Sequence, residues 1–227
     1  MHEDKKNEEV LFSVDNFDEA IEKRIAEIDD EFKRGFSFIK NYKKSVSFFF
    51  FFIADSSSDN YKFAYKLAKR ISEELKYAIV TGGGPGIMEA GNKGAYDANG
   101  DSLGITIKLP NKQATNMYVQ KSEDFYYFFV RKVMLSFSAE AYIFFPGGFG
   151  TLDEFFEIIT LIQTHKIPPV PIILVGREFW TPLENYFKKY ILEEHKAIET
   201  SDLKIYTITD DEEEIMKIVR EAPMRKE

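Results

Sequence analysis

The stretch Ala141-Tyr142-Ile143-Phe144-Phe145-Pro146-Gly147-Gly148-Phe149-Gly150-Thr151-Leu152-Asp153-Glu154 decides the fold class. It opens on an apolar run of strand length, passes through a proline and three glycines, and enters Leu152–Gln163, where apolar residues recur at helical spacing. An apolar run without strict alternation suits a strand buried on both faces, as in a parallel sheet covered by helices.

The same pattern recurs to either side. Strand-length runs lie at Val46–Ile53, Ala78–Thr81, Ser102–Ile107 and Pro171–Val175, with a weaker one at Ile205–Ile208. Helical periods lie between and after them, at Asn60–Leu75, Ile87–Ala98, Phe125–Phe137, Trp180–Glu193 and Glu212–Arg220. This rhythm predicts an α/β fold, a Rossmann-like open doubly wound parallel sheet with right-handed crossovers, flanked by helices. Ahead of it, Phe17, Ile21, Ile25, Ile28 and Phe32 recur at helical spacing among charges. Residues 1–44 therefore read as a helical extension whose apolar stripe packs on the domain or on a second subunit. Residues 45–227 read as one domain, without internal repeat or linker.

Composition narrows the function classes. The net charge of -8 comes with no basic stripe, which argues against a nucleic acid polymer as partner but not against a small anion. Without cysteine, disulfides and thiolate metal sites are excluded, and the three histidines are too scattered to suggest a metal site. No apolar run reaches the roughly 20 residues of a membrane helix. Met1–Val10 is polar and charged, unlike a secretory signal, so the cytoplasm is the expected location.

In open α/β sheets ligands bind beyond the carboxyl ends of the strands, and two strands here feed glycine-rich turns. The first turn is Thr81-Gly82-Gly83-Gly84-Pro85-Gly86-Ile87-Met88-Glu89-Ala90; the second is Pro146–Glu154. Glycine lets a backbone approach a ligand, and a helix starting at the turn aims free N–H groups at an anion. A tight turn with no ligand explains either one alone; two on one sheet edge favour a site. Thr151 is a candidate cap or phosphate contact, and Glu154 a candidate capping carboxylate one turn into its helix. Neither turn fits G-x-G-x-x-G, and no Gly-Lys-Ser/Thr is present, so dinucleotide oxidoreductases and P-loop NTPases both lose ground.

Pro146-Gly147-Gly148-Phe149-Gly150-Thr151-Leu152-Asp153-Glu154 resembles the P-G-G-x-G-T-x-x-E hallmark of the "Lonely guy" (LOG) family. Gly82–Ala90 resembles that family's G-G-G-x-G-I-M-E-A, and Arg131-Lys132 its R-K pair. The similarity continues through Leu161–Thr164 and Pro169–Gly176 and covers nearly everything after Val46. It implies a phosphoribohydrolase that splits a nucleoside 5′-monophosphate into free base and ribose 5-phosphate, with no cofactor and no metal. By position, Arg131 and Glu154 become the catalytic pair. Substrate contacts would fall to Gly83, Gly84, Gly86, Met88 and Glu89 of the first turn, and to Pro146, Gly147, Gly148, Gly150 and Thr151 of the second. Lys132, Ser56 and Ser57 complete the set. Taken without the resemblance, Arg131 reads as an ordinary helix arginine.

One departure bears on activity. The family follows its first strand with a Gly-Ser loop, often G-S-A-R, whereas this chain runs Val46-Ser47-Phe48-Phe49-Phe50-Phe51-Phe52-Ile53-Ala54-Asp55-Ser56-Ser57. Ungapped alignment places Phe50 on the glycine; sliding the gap makes Asp55-Ser56-Ser57 the loop, the preferred reading. A weakened phosphate site, an altered substrate and an inactive nucleotide-binding protein stay open. Tyr126 stands where long-chain relatives often carry Arg. Amino-acid decarboxylation, for which the family was long mislabelled, needs pyridoxal phosphate on a lysine. Lys166 is better explained as a helix-end residue. The run Phe125–Phe129 cannot all face one helix stripe, so a homodimer whose interface borders the site is expected, in keeping with the family's usual dimer.

Overall fold

The computed structural model describes residues 17–49, 56–108 and 114–225. Its elements in chain order are α1 (Phe17–Ile39), β1 (Ser45–Phe49), α2 (Asp59–Arg70), β2 (Ala78–Thr81), α3 (Ile87–Asp97), β3 (Ser102–Ile107), β4 (Lys121–Phe125), α4 (Phe128–Ser136), β5 (Ala141–Phe144), α5 (Phe149–Gln163), β6 (Ile172–Leu174), α6 (Arg177–Tyr186), β7 (Tyr206–Ile208) and α7 (Glu212–Glu221). The seven strands form one sheet in the order β4-β3-β2-β1-β5-β6-β7, every described pairing parallel. The doubly wound α/β architecture expected from the alternating pattern is what the chain adopts.

Side chains of successive strand residues leave opposite faces of the sheet, and the apolar runs supply both. Phe49, Val80, Tyr142, Phe144 and Leu174 enter one core with residues of α1, α4, α5 and α6. Val46, Phe48, Ile79, Ile143 and Ile173 enter the other with residues of α2, α3 and α7. The chain winds outward from β1 to β4 and then returns to lay β5 against the other side of β1, in register Val46↔Ala141 to Phe49↔Phe144. The topological switch point therefore lies between β1 and β5, where such sheets open a crevice.

Several expectations change in detail. The strand expected over Val46–Ile53 is described from Ser45 to Phe49; the remainder lies outside the described residues, as do Asp55 and Met1–Val10. No strand was anticipated at Lys121–Phe125, because an edge strand of sequence KSEDF is polar and mostly exposed, and the usual apolar signal is missing. The helix expected over Phe125–Phe137 consequently starts later, at Phe128, and Phe125 is a fully buried strand end. Both long helical periods at Asn60–Leu75 and Trp180–Glu193 are present, each finishing in π-helical turns, Ile71–Leu75 and Phe187–Glu194.

The stripe on α1 also divides. Ile28 and Phe32 pack on the core, and Glu31, Gly35 and Ile39 are buried at four-residue intervals, one helical face. Phe17, Ile21 and Ile25 stay exposed, at 49%, 37% and 60%. The second half of the helix is thus the part that joins the domain. No helix among the described residues is long and apolar enough to cross a membrane.

Candidate functional site

The first glycine turn is braced from behind by a polar network. Thr81, the last residue of β2, accepts the Gly83 N–H at 2.9 Å and donates to Asn92 Oδ1 at 2.6 Å. Asn92, fully buried on α3, donates in turn to Ser102 Oγ and the Leu103 carbonyl of β3. Asn116 reaches in from the segment before β4. Its backbone N–H meets the Gly83 carbonyl at 2.8 Å, and its Nδ2 lies within reach of the Gly83 and Gly84 carbonyls and Asn92 Oδ1. Gly83 turns with φ +74°, a conformation that a side chain would strain.

Both turns deliver helix starts without a side-chain cap. Gly86 is the N-cap of α3 and Gly148 the N-cap of α5, and neither position carries a side-chain bond to the helix. Thr151 lies buried in the first turn of α5 rather than at its N-cap position, and Glu154 lines the cavity described next. Uncapped helix starts leave N–H groups and a positive dipole end directed at one crevice, a suitable place for a phosphate.

Beside the switch point a cavity of about 150 Å³ opens at the ends of β1 and β2. Phe48 and Phe49 of β1, Gly82 and Met88 of the first turn, Phe128, Arg131 and Leu135 of α4, and Gly150, Thr151 and Glu154 of α5 line it. Arg131 is 5% exposed and donates from Nε to the Ile105 carbonyl at 2.9 Å. The guanidinium lies so close to Gly82 that a Cβ there would sit 2.5 Å from Nη2. The glycine is the space in which the arginine rests.

Glu154 is 6% exposed, and its Oε2 is buried with no hydrogen-bond partner among the described residues. Burial pushes its carboxyl up to about 7, against the pull of Arg131 and Lys132 and with help from Glu157 and Asp153. Burial also pulls the Arg131 guanidinium down from its ordinary value, with Glu154 opposing. The two feel each other's charge without forming an ion pair. An unpaired buried carboxylate is costly, and groups perturbed in this way cluster at functional sites.

The predicted site residues fall into three groups. Arg131, Glu154, Met88, Gly150 and Thr151 meet at the cavity, joined by Gly82 from the same turn as Gly83, Gly84 and Gly86. Gly83, Gly84 and Gly86 shape that turn, and Pro146, Gly147 and Gly148 shape the second, with Thr151 Oγ1 packed against Gly147. Glu89 points to α2, where it accepts the Tyr61 hydroxyl at 3.0 Å. Lys132 points to α5, with Nζ 2.7 Å from Asp153 and 3.3 Å from Glu157. Ser56 and Ser57 form an exposed turn ahead of α2 and do not line the cavity. Reading the sequence missed Phe48, Phe49 and Phe128 as lining, and Asn92 and Asn116 as braces. An asparagine between polar residues carries no local pattern that announces a long-range hydrogen bond.

Comparison with known proteins follows the same lines. Residues 88–219, more than half of the chain, match the family described as "Possible lysine decarboxylase". The chain is 30% identical over 149 residues to a "Probable cytokinin riboside 5′-monophosphate phosphoribohydrolase" of Arabidopsis thaliana, covering 63% of this chain and 71% of that protein. It is 31% identical over 108 residues to the cytokinin riboside 5′-monophosphate phosphoribohydrolase LOG of Oryza sativa, covering 46% and 45% respectively. Among solved structures, the molybdenum cofactor carrier protein of Chlamydomonas reinhardtii superposes with a TM-score of 0.59 at 20% identity, covering 79% of this chain and 98% of that one, a likeness of fold.

Proposed function

We infer the function of this chain from its kinship: it belongs to the LOG family, the family described as possible lysine decarboxylase. The activity that fits best is hydrolysis of the N-glycosidic bond of a nucleoside 5′-monophosphate, of the AMP or cytokinin-riboside type, to free base and ribose 5-phosphate. The observation that carries this reading is the buried Arg131–Glu154 pair at the switch-point cavity, with Glu154 Oε2 unpartnered.

The chemistry uses each group. As the bond from C1′ to the base breaks, positive charge spreads over C1′ and the ring oxygen, and water completes the reaction at C1′. A carboxylate fixed beside that charge in a dry cavity stabilises it far more than water would. Glu154 is that carboxylate and holds a ribose hydroxyl or the attacking water. Arg131 stays charged at working pH and orients the anionic substrate. A cavity of about 150 Å³ suits one ring-sized group. The ribose occupies it, the phosphate lies at the uncapped helix starts, and the base projects outward.

The family's printed description fits the residues less well. Amino-acid decarboxylation runs on pyridoxal phosphate held by a lysine. No lysine lines the cavity among the described residues; Lys132 is engaged by Asp153 and Glu157, and Lys166 is exposed in the turn after α5. We further propose a homodimer, since Phe128, Phe129 and Phe149 stand 47%, 51% and 92% exposed around the cavity mouth. Sedimentation at micromolar concentration tests it, and a lone monomer would count against it.

The decisive experiment incubates the protein with AMP, GMP, CMP, UMP and an N6-substituted AMP and quantifies free base by chromatography, with Glu154→Gln alongside. Base release that disappears in the variant supports the hydrolase. A folded wild type that binds nucleotide but releases no base points instead to a nucleotide-binding protein, a reading favoured by the two phenylalanines, Phe48 and Phe49, in the cavity wall.

A further inference from the structure

The helix carrying Arg131, like those that start at the two glycine turns, has no side-chain cap of its own. Its N-cap, Tyr127, makes no side-chain capping bond, and its first turn contains no acidic residue. The missing carboxylate arrives from the N-terminal extension instead. Glu31, on α1 and 5% exposed, accepts the Tyr126 N–H at 2.6 Å and the Tyr127 N–H at 3.1 Å. Both of its oxygens thus close on the backbone at the start of α4, and a negative charge at that end also suits the helix dipole. Two further contacts hold α1 in place. Gly35 lies so close to Met134 and Phe125 that a Cβ there would collide with the Met134 thioether. Arg34 pairs with Glu123 of β4 and reaches the Asp124 carbonyl.

Arg131 sits on the first full turn beyond that cap, its N–H bonded to the Tyr127 carbonyl at 3.1 Å. The same peptide segment that Glu31 grips therefore sets the height and angle from which Arg131 enters the cavity. We propose that Glu31 is a positioning residue for Arg131, and that the α1 extension is a working part of the site. The proposal rests on the function inferred above. It does not make Glu31 a catalytic group, since Glu31 lies outside the cavity lining.

The test reads the place of Arg131 through its neighbour. Glu154 feels Arg131 and Lys132 of α4 and Asp153 and Glu157 of its own helix; among the described residues the rest of the cavity lining, such as Phe48, Phe49, Gly82 and Met88, carries no charge. Moving Arg131 away removes an attraction for the carboxylate, so Glu154 titrates at higher pH. Carbon-13 glutamate labelling, with Glu154→Gln to assign the signal, follows that titration by NMR without any turnover. Glu31→Ala should raise the Glu154 midpoint by about half a pH unit or more and lower kcat about ten-fold, with a smaller change in KM. Glu31→Gln, which keeps one acceptor, should fall between, and it carries the same test if the alanine variant fails to fold. Ile28→Ala, which loosens the packing of α1 on the core and leaves the Glu31 contacts in place, should lower Tm and leave the midpoint in place. A Glu31 variant with the wild-type Glu154 midpoint and wild-type kcat, only less stable, overturns the proposal. If the wild type itself releases no base, the hydrolase reading fails, and the titration still decides whether Glu31 places Arg131.

Discussion

Glu154 joins the site's chemistry to the stability of the fold. Its carboxyl titrates at about 7 in the folded protein and near 4.5 when exposed. The folded state therefore holds the proton more tightly, and the contribution of this group is fully present below pH 4.5 and lost as pH rises to 7. Above 7 a buried charge remains, at a cost of about 3 kcal/mol from the size of the shift. Glu154→Gln should match the wild type in Tm near pH 4.5 and exceed it at pH 8 by roughly 5–10 °C, as read by calorimetry. Activity should run the other way. If the carboxylate is the working form, kcat/KM rises through about pH 7 and levels off above it. A rate that falls across that range would make Glu154 a proton donor instead. Both catalytic candidates were legible as residues, because the motif around Glu154 and the Arg131-Lys132 pair are local strings. Their burial was not legible, since it depends on Gly82 leaving room for a guanidinium that comes from 49 positions further along the chain.

Elements place these residues, and they do so through backbone contacts as much as through apolar packing. The turn after β2 keeps its shape because Asn116, far along the chain, satisfies its carbonyls. Asn116→Ala should take the side-chain donor from the Gly84 carbonyl and Asn92 Oδ1, while the Gly83 carbonyl keeps the backbone N–H of residue 116, at a cost of about 1–3 kcal/mol in the bound or folded state. We expect a KM for the nucleotide raised about ten-fold or more, corresponding to about 1.4 kcal/mol, with Tm lowered only slightly. Unchanged KM and unchanged nucleotide affinity would show that the turn does not bear on the substrate. Strand and helix identities followed from apolar periodicity wherever an element is buried, as at β2, β3 and β5. The exception was β4, whose polar edge position removes that signal. Losing β4 from the sequence reading also misplaced Phe125, Tyr126 and Tyr127, which link a strand to a helix rather than opening the helix.

Across the whole molecule, the end of the sheet opposite the cavity is closed by Arg225. It donates to Glu140 at 2.6 Å, to the Phe137 carbonyl at 2.5 Å and to the Tyr42 carbonyl. Glu140 is fully buried and also accepts the Ser45 N–H at the start of β1. One side chain thus ties the C-terminal segment to the connections that follow α1 and α4 and, through Glu140, to the start of β1. Arg225→Ala should strand a buried carboxylate and cost about 3–5 kcal/mol, while Arg225→Ala with Glu140→Gln should recover most of the loss in urea unfolding. A single variant as stable as the wild type would show that Glu140 finds another partner. The amino-acid string determined by itself the parallel α/β class, the two glycine turns and the family motif, because each rests on residues close together in the chain. Tertiary structure alone decided which residues share the cavity, that Lys132 and Glu89 turn away from it, and that an extension helix caps the helix of Arg131. Those outcomes depend on hydrogen bonds and ion pairs between distant segments, and a polar residue carries no mark in sequence of the partner it will meet.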